Sequence, residues 1–261
     1  MGRTFVTTDI HGCVSEFNKL IYLLKLTAKD TLIVIGDCLH KHPNPSNSVR
    51  IVQTLYLLQQ DCNVVLVAGN HEEKQLRWAN AELKAQALGA LNPVRYAEGF
   101  AEIQAGLIAR PGLLDFVEQA RLYYQTEGFL ILHGGMPSAC NLPPDVTLKE
   151  LFSMTGKQRD FCKQVLWTRY VNPQGYPVAL GTESPDDRYW ADIYDGSLGT
   201  ILFGHQPFIE DQVRVFPHAV GLDLGCVFGN LLAAVQIQDG IIVEKFYVKA
   251  QQKYAKSYYE D

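Results

Sequence analysis

Five apolar stretches in this chain each run into a side chain able to bind a metal or carry a proton. Thr4-Phe-Val-Thr-Thr8 leads to Asp9 and His11, and Thr31-Leu-Ile-Val-Ile35 leads to Gly36-Asp37. Val64-Val-Leu-Val67 leads to Gly69-Asn70-His71, Phe129-Leu-Ile-Leu132 to His133, and Thr200-Ile-Leu-Phe203 to Gly204-His205. Short β-branched runs of this kind read as buried strands. Between the first three lie helical spacings: Phe17, Leu20, Ile21 and Leu24, then Val49, Ile51, Val52, Leu55 and Leu58. Strands alternating with helices predict a largely parallel α/β sheet. In such sheets ligands gather outside the carboxyl ends of the strands. The pattern therefore predicts one sheet edge carrying Asp9, His11, Asp37, Asn70, His71, His133 and His205.

The chemistry of that set is specific. Oxygen and imidazole donors together suit a borderline divalent ion such as manganese, iron or zinc better than calcium or a thiolate site. A shared carboxylate can bridge two ions about 3.5–4 Å apart. With 23 basic and 28 acidic residues, and no basic run, the chain lacks the electrostatic footprint of a duplex-DNA partner. Its six cysteines, Cys13, Cys38, Cys62, Cys140, Cys162 and Cys226, form no C-x-x-C pair and read as reduced thiols. The N-terminus goes straight into a strand with no leader pattern, and Val6 stands where a myristoylation signal needs Ser or Thr. No apolar run approaches the ~18–20 residues of a membrane span. The expectation is a cytoplasmic protein without a membrane partner. The 261 residues suit one domain, taken as residues 1–250, followed by a polar and frayed tail over 251–261.

Asp-x-His-Gly or Gly-His alone marks only a loop; what discriminates is the whole series, in order, each at a strand end. Asp9-Ile-His11-Gly12, Gly36-Asp37, Gly69-Asn70-His71-Glu72, His133-Gly134-Gly135 and Gly204-His205 resemble the motif series of the calcineurin-like metallophosphoesterases, in the phosphoprotein-phosphatase branch. The similarity runs from Phe5 to about Val248, and Gly221-Leu-Asp-Leu-Gly-Cys-Val-Phe-Gly229 is similar to a late signature of bacterial members. The resemblance implies a four-layer αββα sandwich and two divalent ions, manganese first, with iron, zinc or nickel as alternatives. It implies that Asp9, His11 and Asp37 hold the first ion. Asp37 would bridge to a second, completed by Asn70, His133 and His205. His71 would protonate the leaving oxygen while a bridging hydroxide attacks phosphorus.

One motif departs from the family. Where many members have Asp-Arg-Gly after the second strand, this chain has His40-Lys41-His42. Lys41 is a point charge and cannot reproduce a bidentate guanidinium fork. His40 and His42 read either as extra site groups or as exposed loop imidazoles. Arg169 and Arg188 both stand where relatives carry an Arg that faces substrate. Arg77 reads as a structural ion-pair partner, and His218 as structural. Trp167, Tyr170, Tyr176, Tyr189, Trp190 and Tyr194 crowd one region, and packing is the commoner use of such a cluster than stacking on a base. Three functions follow. The first is hydrolysis of phosphomonoesters, including phosphorylated proteins or peptides. The second takes a nucleotide, either a dinucleoside polyphosphate or an RNA-end phosphate. The third is a feebly active, metal-binding regulatory protein.

Further along, Ser46 is a plausible helix cap, 71–124 reads as mainly helical, 172–187 as an exposed loop, and the last third as β-rich.

Overall fold

The structure, a computed structural model, describes residues 2–94, 99–126, 128–137 and 141–256. Its first sheet is built on three parallel strands, β1 (Thr4–Thr8), β2 (Thr31–Ile35) and β3 (Asn63–Val67). β12 (Leu231–Gln238) runs antiparallel beside β1, and β13 (Ile241–Lys249) closes a hairpin on it. The hairpin turn is Asp239-Gly240, both at positive φ (51° and 79°), as a tight two-residue connection requires. Thr8 pairs with Ile35 and Ile35 with Val67, so the three parallel strands end level.

The second sheet has the order β10-β11-β9-β5-β4, from β4 (Tyr123–Thr126), β5 (Phe129–Leu132), β9 (Thr200–Phe203), β10 (Arg214–Val215) and β11 (Ala219–Gly221). β5, β9 and β11 are parallel. A small third sheet joins β6 (Tyr170–Val171), β7 (Pro177–Val178) and β8 (Arg188–Tyr189). The helices are α1 (Val14–Leu24), α2 (Pro45–Leu58), α3 (Asn70–Ala87), α4 (Phe100–Ile108), α5 (Leu113–Glu118), α6 (Leu148–Ser153), α7 (Gly156–Trp167) and α8 (Trp190–Ile193). One continuous core, including Phe5, Phe17, Ile33, Leu130 and Phe203, runs through both large sheets. With α1 packed on β12 and β13, the architecture is the four-layer αββα sandwich. Among the described residues no helix is long and apolar enough to cross a membrane.

Several boundaries differ from the sequence reading. Asn44, not Ser46, caps α2: its Oδ1 accepts the Ser46 N–H at 3.0 Å, and Pro45 takes the first helical position, where no N–H is needed. The helical stretch stops at Glu118, and the chain then joins the edge of β3. Ala68 N–H donates to the Arg121 carbonyl at 2.7 Å, and Arg121 N–H to Leu66 at 3.0 Å. Part of the expected loop is strand, because Tyr170 and Val171 pair with Val178 and Pro177. Cys13, Cys38, Cys62, Cys162 and Cys226 are free and buried, whereas Cys140 lies outside the described residues. The expected frayed tail is anchored at its start: Gln251 N–H and Tyr254 Oη–H donate to buried Glu16 at 2.8 and 2.9 Å. Residues 257–261 lie outside the described residues.

The start of β1 is tied down by a buried carboxylate. Asp30 accepts from Arg3 N, Nε and Nη2 at 2.7, 3.3 and 2.7 Å, and from Thr27 N and Oγ1 at 2.8 and 3.0 Å. Burial works against its charge, but the Arg3 guanidinium and these donors hold it well below the usual carboxylate range. A depressed carboxyl stabilises the fold above its unfolded value of about 3.9 and loses that contribution as pH falls through the folded value. Asp30→Asn is expected to lower unfolding free energy at neutral pH by about 2 kcal/mol, the scale of charge-assisted hydrogen bonds. It is also expected to flatten the loss of stability below pH ~4. Urea titrations of both proteins between neutral pH and pH ~3 measure both effects.

Candidate active site

The level ends of β1, β2 and β3 and the ends of β5 and β9 converge on one buried cluster. The loops reach it through strained backbone. Asp9, His11, Asp37, His40, Lys41 and His205 all have positive φ, between 45° and 67°. A side-chain-bearing residue in that region costs about 1 kcal/mol or more, and such residues persist where surrounding contacts over-determine them. Two glycines permit the close approach. A Cβ on Gly69 would lie 2.3 Å from Asp37 Oδ1, and one on Gly204 would lie 2.1 Å from Asp9 Oδ2.

Asp37 is at the centre. His71 N–H, in the first turn of α3, donates to its Oδ1 at 2.9 Å, where the helix terminus favours negative charge. His133 Nε2 lies 3.3 Å from Oδ1, while His11 Nε2 and His71 Nε2 lie 3.4 and 3.9 Å from Oδ2. Burial opposes the Asp37 charge, yet His133, His71 and His11 hold it well below the ordinary range. Burial also opposes protonation of His133, but Asp37 and Asp9 overcome it and lift that imidazole to about 9. His11 and His205 are pushed well down by burial.

The donor set fits a metal centre. His11 Nδ1–H donates to the Leu39 carbonyl at 2.9 Å and His133 Nδ1–H to Ile35 at 3.0 Å, which turns both Nε2 atoms inward. Without its second proton, as a metal ligand must be, His133 Nε2 faces Asn70 Oδ1 at 3.1 Å and Asp37 Oδ1 at 3.3 Å, acceptor against acceptor. Turning the Asn70 amide over relieves some of these contacts, but Asp9 Oδ1, His11 Nε2 and His205 Nε2 remain buried without a protein partner. Atoms of Asp37, His133 and His205 lie within 4.8 Å of one another, as do those of His11, Asp37 and His71. Asp37 is common to both groups, and the one with His11 contains His71 rather than Asp9.

A carboxylate that sequence reading passed over holds this loop in place. Glu72, fully buried, reaches back along α3 to the Gly69 N–H at 3.0 Å, as a capping-box residue does. It also accepts from the N–H groups of Asp37, Cys38 and Leu39 at 2.8, 2.9 and 3.2 Å. Burial and the Asp37 charge push it up to about 7.

Beside the cluster opens a cleft of about 550 Å³ lined by Asp37, Asn70, His71 and His205. Lys41 and Arg169 line it, as do Lys74 and Lys163, which sequence reading missed. Lys74 was legible in principle, since it stands one helical turn after Asn70 and shares its face. Arg169 is fixed by Gln206 Oε1 and the His205 carbonyl, each at 3.0 Å. Arg188 instead is exposed, bonded to the carbonyls of Pro185 and Asp187, and does not line the cleft. His40 is not an exposed loop imidazole; it is buried against His71, and burial holds it down at about 4. His42 packs on the Tyr254 ring at 4.7 Å. Arg77 Nη2 lies 3.7 Å from Glu73, and His218 packs against Tyr194. The aromatic group divides. Trp190 and Tyr194 are buried, Trp190 packing on Phe203 at 4.9 Å, whereas Trp167 lines the cleft with Lys74 Nζ 4.8 Å above its ring.

The calcineurin-like phosphoesterase family matches residues 2–229 of the sequence. The chain belongs to that family. It is a hydrolase of phosphoester bonds, in a family whose chemistry uses divalent metal ions. The chain is 24% identical over 242 residues to a bis(5′-nucleosyl)-tetraphosphatase PrpE, asymmetrical, of Oceanobacillus iheyensis, covering 88% of this chain and 87% of the relative. It is 26% identical over 246 residues to the protein of the same name from Bacillus subtilis, covering 90% of each. A solved structure assigned as a diadenosine tetraphosphatase superposes with a TM-score of 0.66 at 20% identity, covering 95% of this chain and 94% of that one. A protein serine/threonine phosphatase of Saccharomyces cerevisiae superposes with a TM-score of 0.55 at 15% identity, covering 96% and 81%. The structural likenesses establish the shared fold.

The Glu72 bonds can be tested without the reaction. Glu72→Gln keeps the shape but sets an amide NH₂ against backbone N–H donors. The variant is expected to unfold about 2–3 kcal/mol more easily in urea, with metal left out of both samples. A change under about 0.5 kcal/mol, the scale of a neutral surface substitution, would mean that something else holds the Asp37 loop.

Proposed function

We propose that this phosphoesterase hydrolyses dinucleoside polyphosphates. The carrying observation is the cleft: four cations, Lys41, Lys74, Lys163 and Arg169, with the indole of Trp167 and the apolar Val178–Leu180 stretch beside them. A chain of phosphates needs several positive groups in succession, and a nucleobase needs a flat apolar surface. The names of the relatives point the same way, whereas the likeness to a protein phosphatase extends to the fold alone.

In this reading Asp9, His11 and Asp37 hold one divalent ion, and Asp37, Asn70, His133 and His205 hold the other, with manganese the first candidate. When bound, such ions activate water as the nucleophile and draw charge from the phosphoryl oxygens. The protein's own groups do the rest. Arg169, braced by Gln206 and the His205 carbonyl, holds a phosphate in one orientation. Lys41 and Lys74 neutralise neighbouring phosphates as point charges. His71, 8% exposed and lining the cleft, presents Nε2 to the leaving oxygen and supplies its proton.

Initial rates of manganese-reconstituted protein on diadenosine tetraphosphate and on a phosphothreonine peptide decide the substrate class. The dinucleotide is expected to be preferred; preference for the peptide would move the enzyme to protein dephosphorylation, and turnover of neither would leave a metal-binding regulatory protein. Asp37→Asn is expected to lower turnover by about 100-fold or more, the scale of removing a main electrostatic element. Trp167→Ala is expected to raise KM for the dinucleotide about tenfold, the scale of one lost stacking contact. Its effect on a phosphopeptide should be small.

A further inference from the structure

We propose that Gln75 and His40 form a relay that fixes the tautomer and orientation of His71, so that Nε2 is the only nitrogen of His71 that exchanges a proton with substrate. The inference rests on His71 as proton donor in the proposed function. It concerns the stretch where this chain departs from its family, the His40-Lys41-His42 run.

The hydrogen-bond directions can be worked out from a fixed end. Gln75, fully buried on α3, donates its side-chain Nε2 to the Phe100 carbonyl at 3.1 Å, and also lies 3.1 Å from Gln104 Oε1. A backbone carbonyl can only accept, so the amide nitrogen of Gln75 faces Phe100 and its oxygen faces His40. His40 Nε2 is 2.9 Å from that oxygen and must carry the hydrogen. In a neutral imidazole the other nitrogen is then bare. His40 Nδ1 stands 3.0 Å from His71 Nδ1, which must therefore donate to it. With Nδ1 committed, the nitrogen of His71 left for chemistry is Nε2, on the side of Asp37 Oδ2.

His40 is itself held rigidly. Its N–H donates to Ser48 Oγ at 3.0 Å, its ring stacks on Phe100 at 4.0 Å between centroids, and its backbone sits at φ 65°. Gln75 follows His71 by one helical turn, so α3 carries both ends of the relay and the loop after β2 supplies the middle. A neutral imidazole backed by an amide thus orients His71. The charge balance is simple. His71 Nε2 first takes a proton from solvent, so that the reacting ring is the imidazolium. As the phosphorus–oxygen bond to the leaving group breaks, its electron pair stays on that oxygen, which takes that proton. Water gives its hydroxyl to phosphorus, and its proton returns to His71 Nε2 or to solvent. His40 and Gln75 gain and lose nothing in the cycle; they are positioning residues.

Two measurements test this. In ¹⁵N-histidine spectra of the protein, His40 is expected as the Nε2–H tautomer and His71 as Nδ1–H. A His40 signal with hydrogen on Nδ1 would overturn the relay, whether or not any substrate is turned over. The second is kcat on p-nitrophenyl phosphate and on phenyl phosphate for wild type, Gln75→Leu and Gln75→Glu. The first leaving group needs little protonation and the second needs more. Gln75→Leu is expected to cost on the order of tenfold in kcat on phenyl phosphate, part of the ~10²–10⁴ that a placed proton donor supplies. It is expected to cost under about twofold on p-nitrophenyl phosphate. Gln75→Glu, which still accepts from His40 Nε2–H but sets its other oxygen against the Phe100 carbonyl, is expected to recover part of the loss on phenyl phosphate. Equal losses on both esters would show a merely structural role. If wild type turned over neither ester nor the dinucleotide, the phosphoesterase reading of the site would fail, and the spectra would still decide the relay.

Discussion

Four backbone N–H groups donate to one buried carboxylate, that of Glu72, and the site depends on them. Three of the donors belong to the loop after β2 and one to the turn after β3. The carboxylate therefore ties two strand ends together at the point where Asp37 must stand. The strain of that loop, with Asp37, His40 and Lys41 all at positive φ, is offset by these bonds. Cross-sheet bonds complete the frame: His205 N–H donates to Asp9 Oδ2 at 2.9 Å, and His133 Nδ1–H donates to the Ile35 carbonyl at 3.0 Å. Ligands from both sheets are thereby held within reach of one carboxylate.

Helix α3 does several jobs with one turn of spacing. Its first residue, Asn70, belongs to the cluster; His71 faces the cleft; Glu72 pins the neighbouring loop. One turn on, Glu73 is the buried partner of Lys163 on α7 at 3.0 Å, Lys74 lies over Trp167, and Gln75 backs His40. Spacing of three to four residues is what lets a single helix serve both the site and its supports. Across that link, Lys163, Trp167 and Lys74 line the cleft together.

The departure at His40-Lys41-His42 is divided by the fold into three separate fates. His40 turns inward to His71, Lys41 turns to the cleft with its Nζ 5.1 Å from the Phe228 ring, and His42 turns to Tyr254. Three adjacent residues of similar polarity thus enter three environments, which no reading of their order could separate.

Much was legible in the sequence alone. Short continuous apolar runs ending on Asp, Asn and His announce strands that deliver polar groups to one edge, because a strand buried on both faces carries such a run and its end can carry polarity. That reasoning named Asp9, His11, Asp37, Asn70, His71, His133 and His205, while the family and the four-layer architecture came from the resemblance of the motif series to known phosphoesterases. Contacts between residues distant in sequence were not legible. Gln75 meets Phe100 and His40, Arg169 meets Gln206, and Arg188 is carried away from the cleft, through turns whose geometry is set by packing. Trp167 and Trp190 belong to one aromatic cluster in the sequence, yet one lines the cleft and the other fills the core behind Gly135. A periodic pattern reports which way a side chain faces relative to its own strand or helix. Which partner it meets there is decided only when the two sheets close on each other.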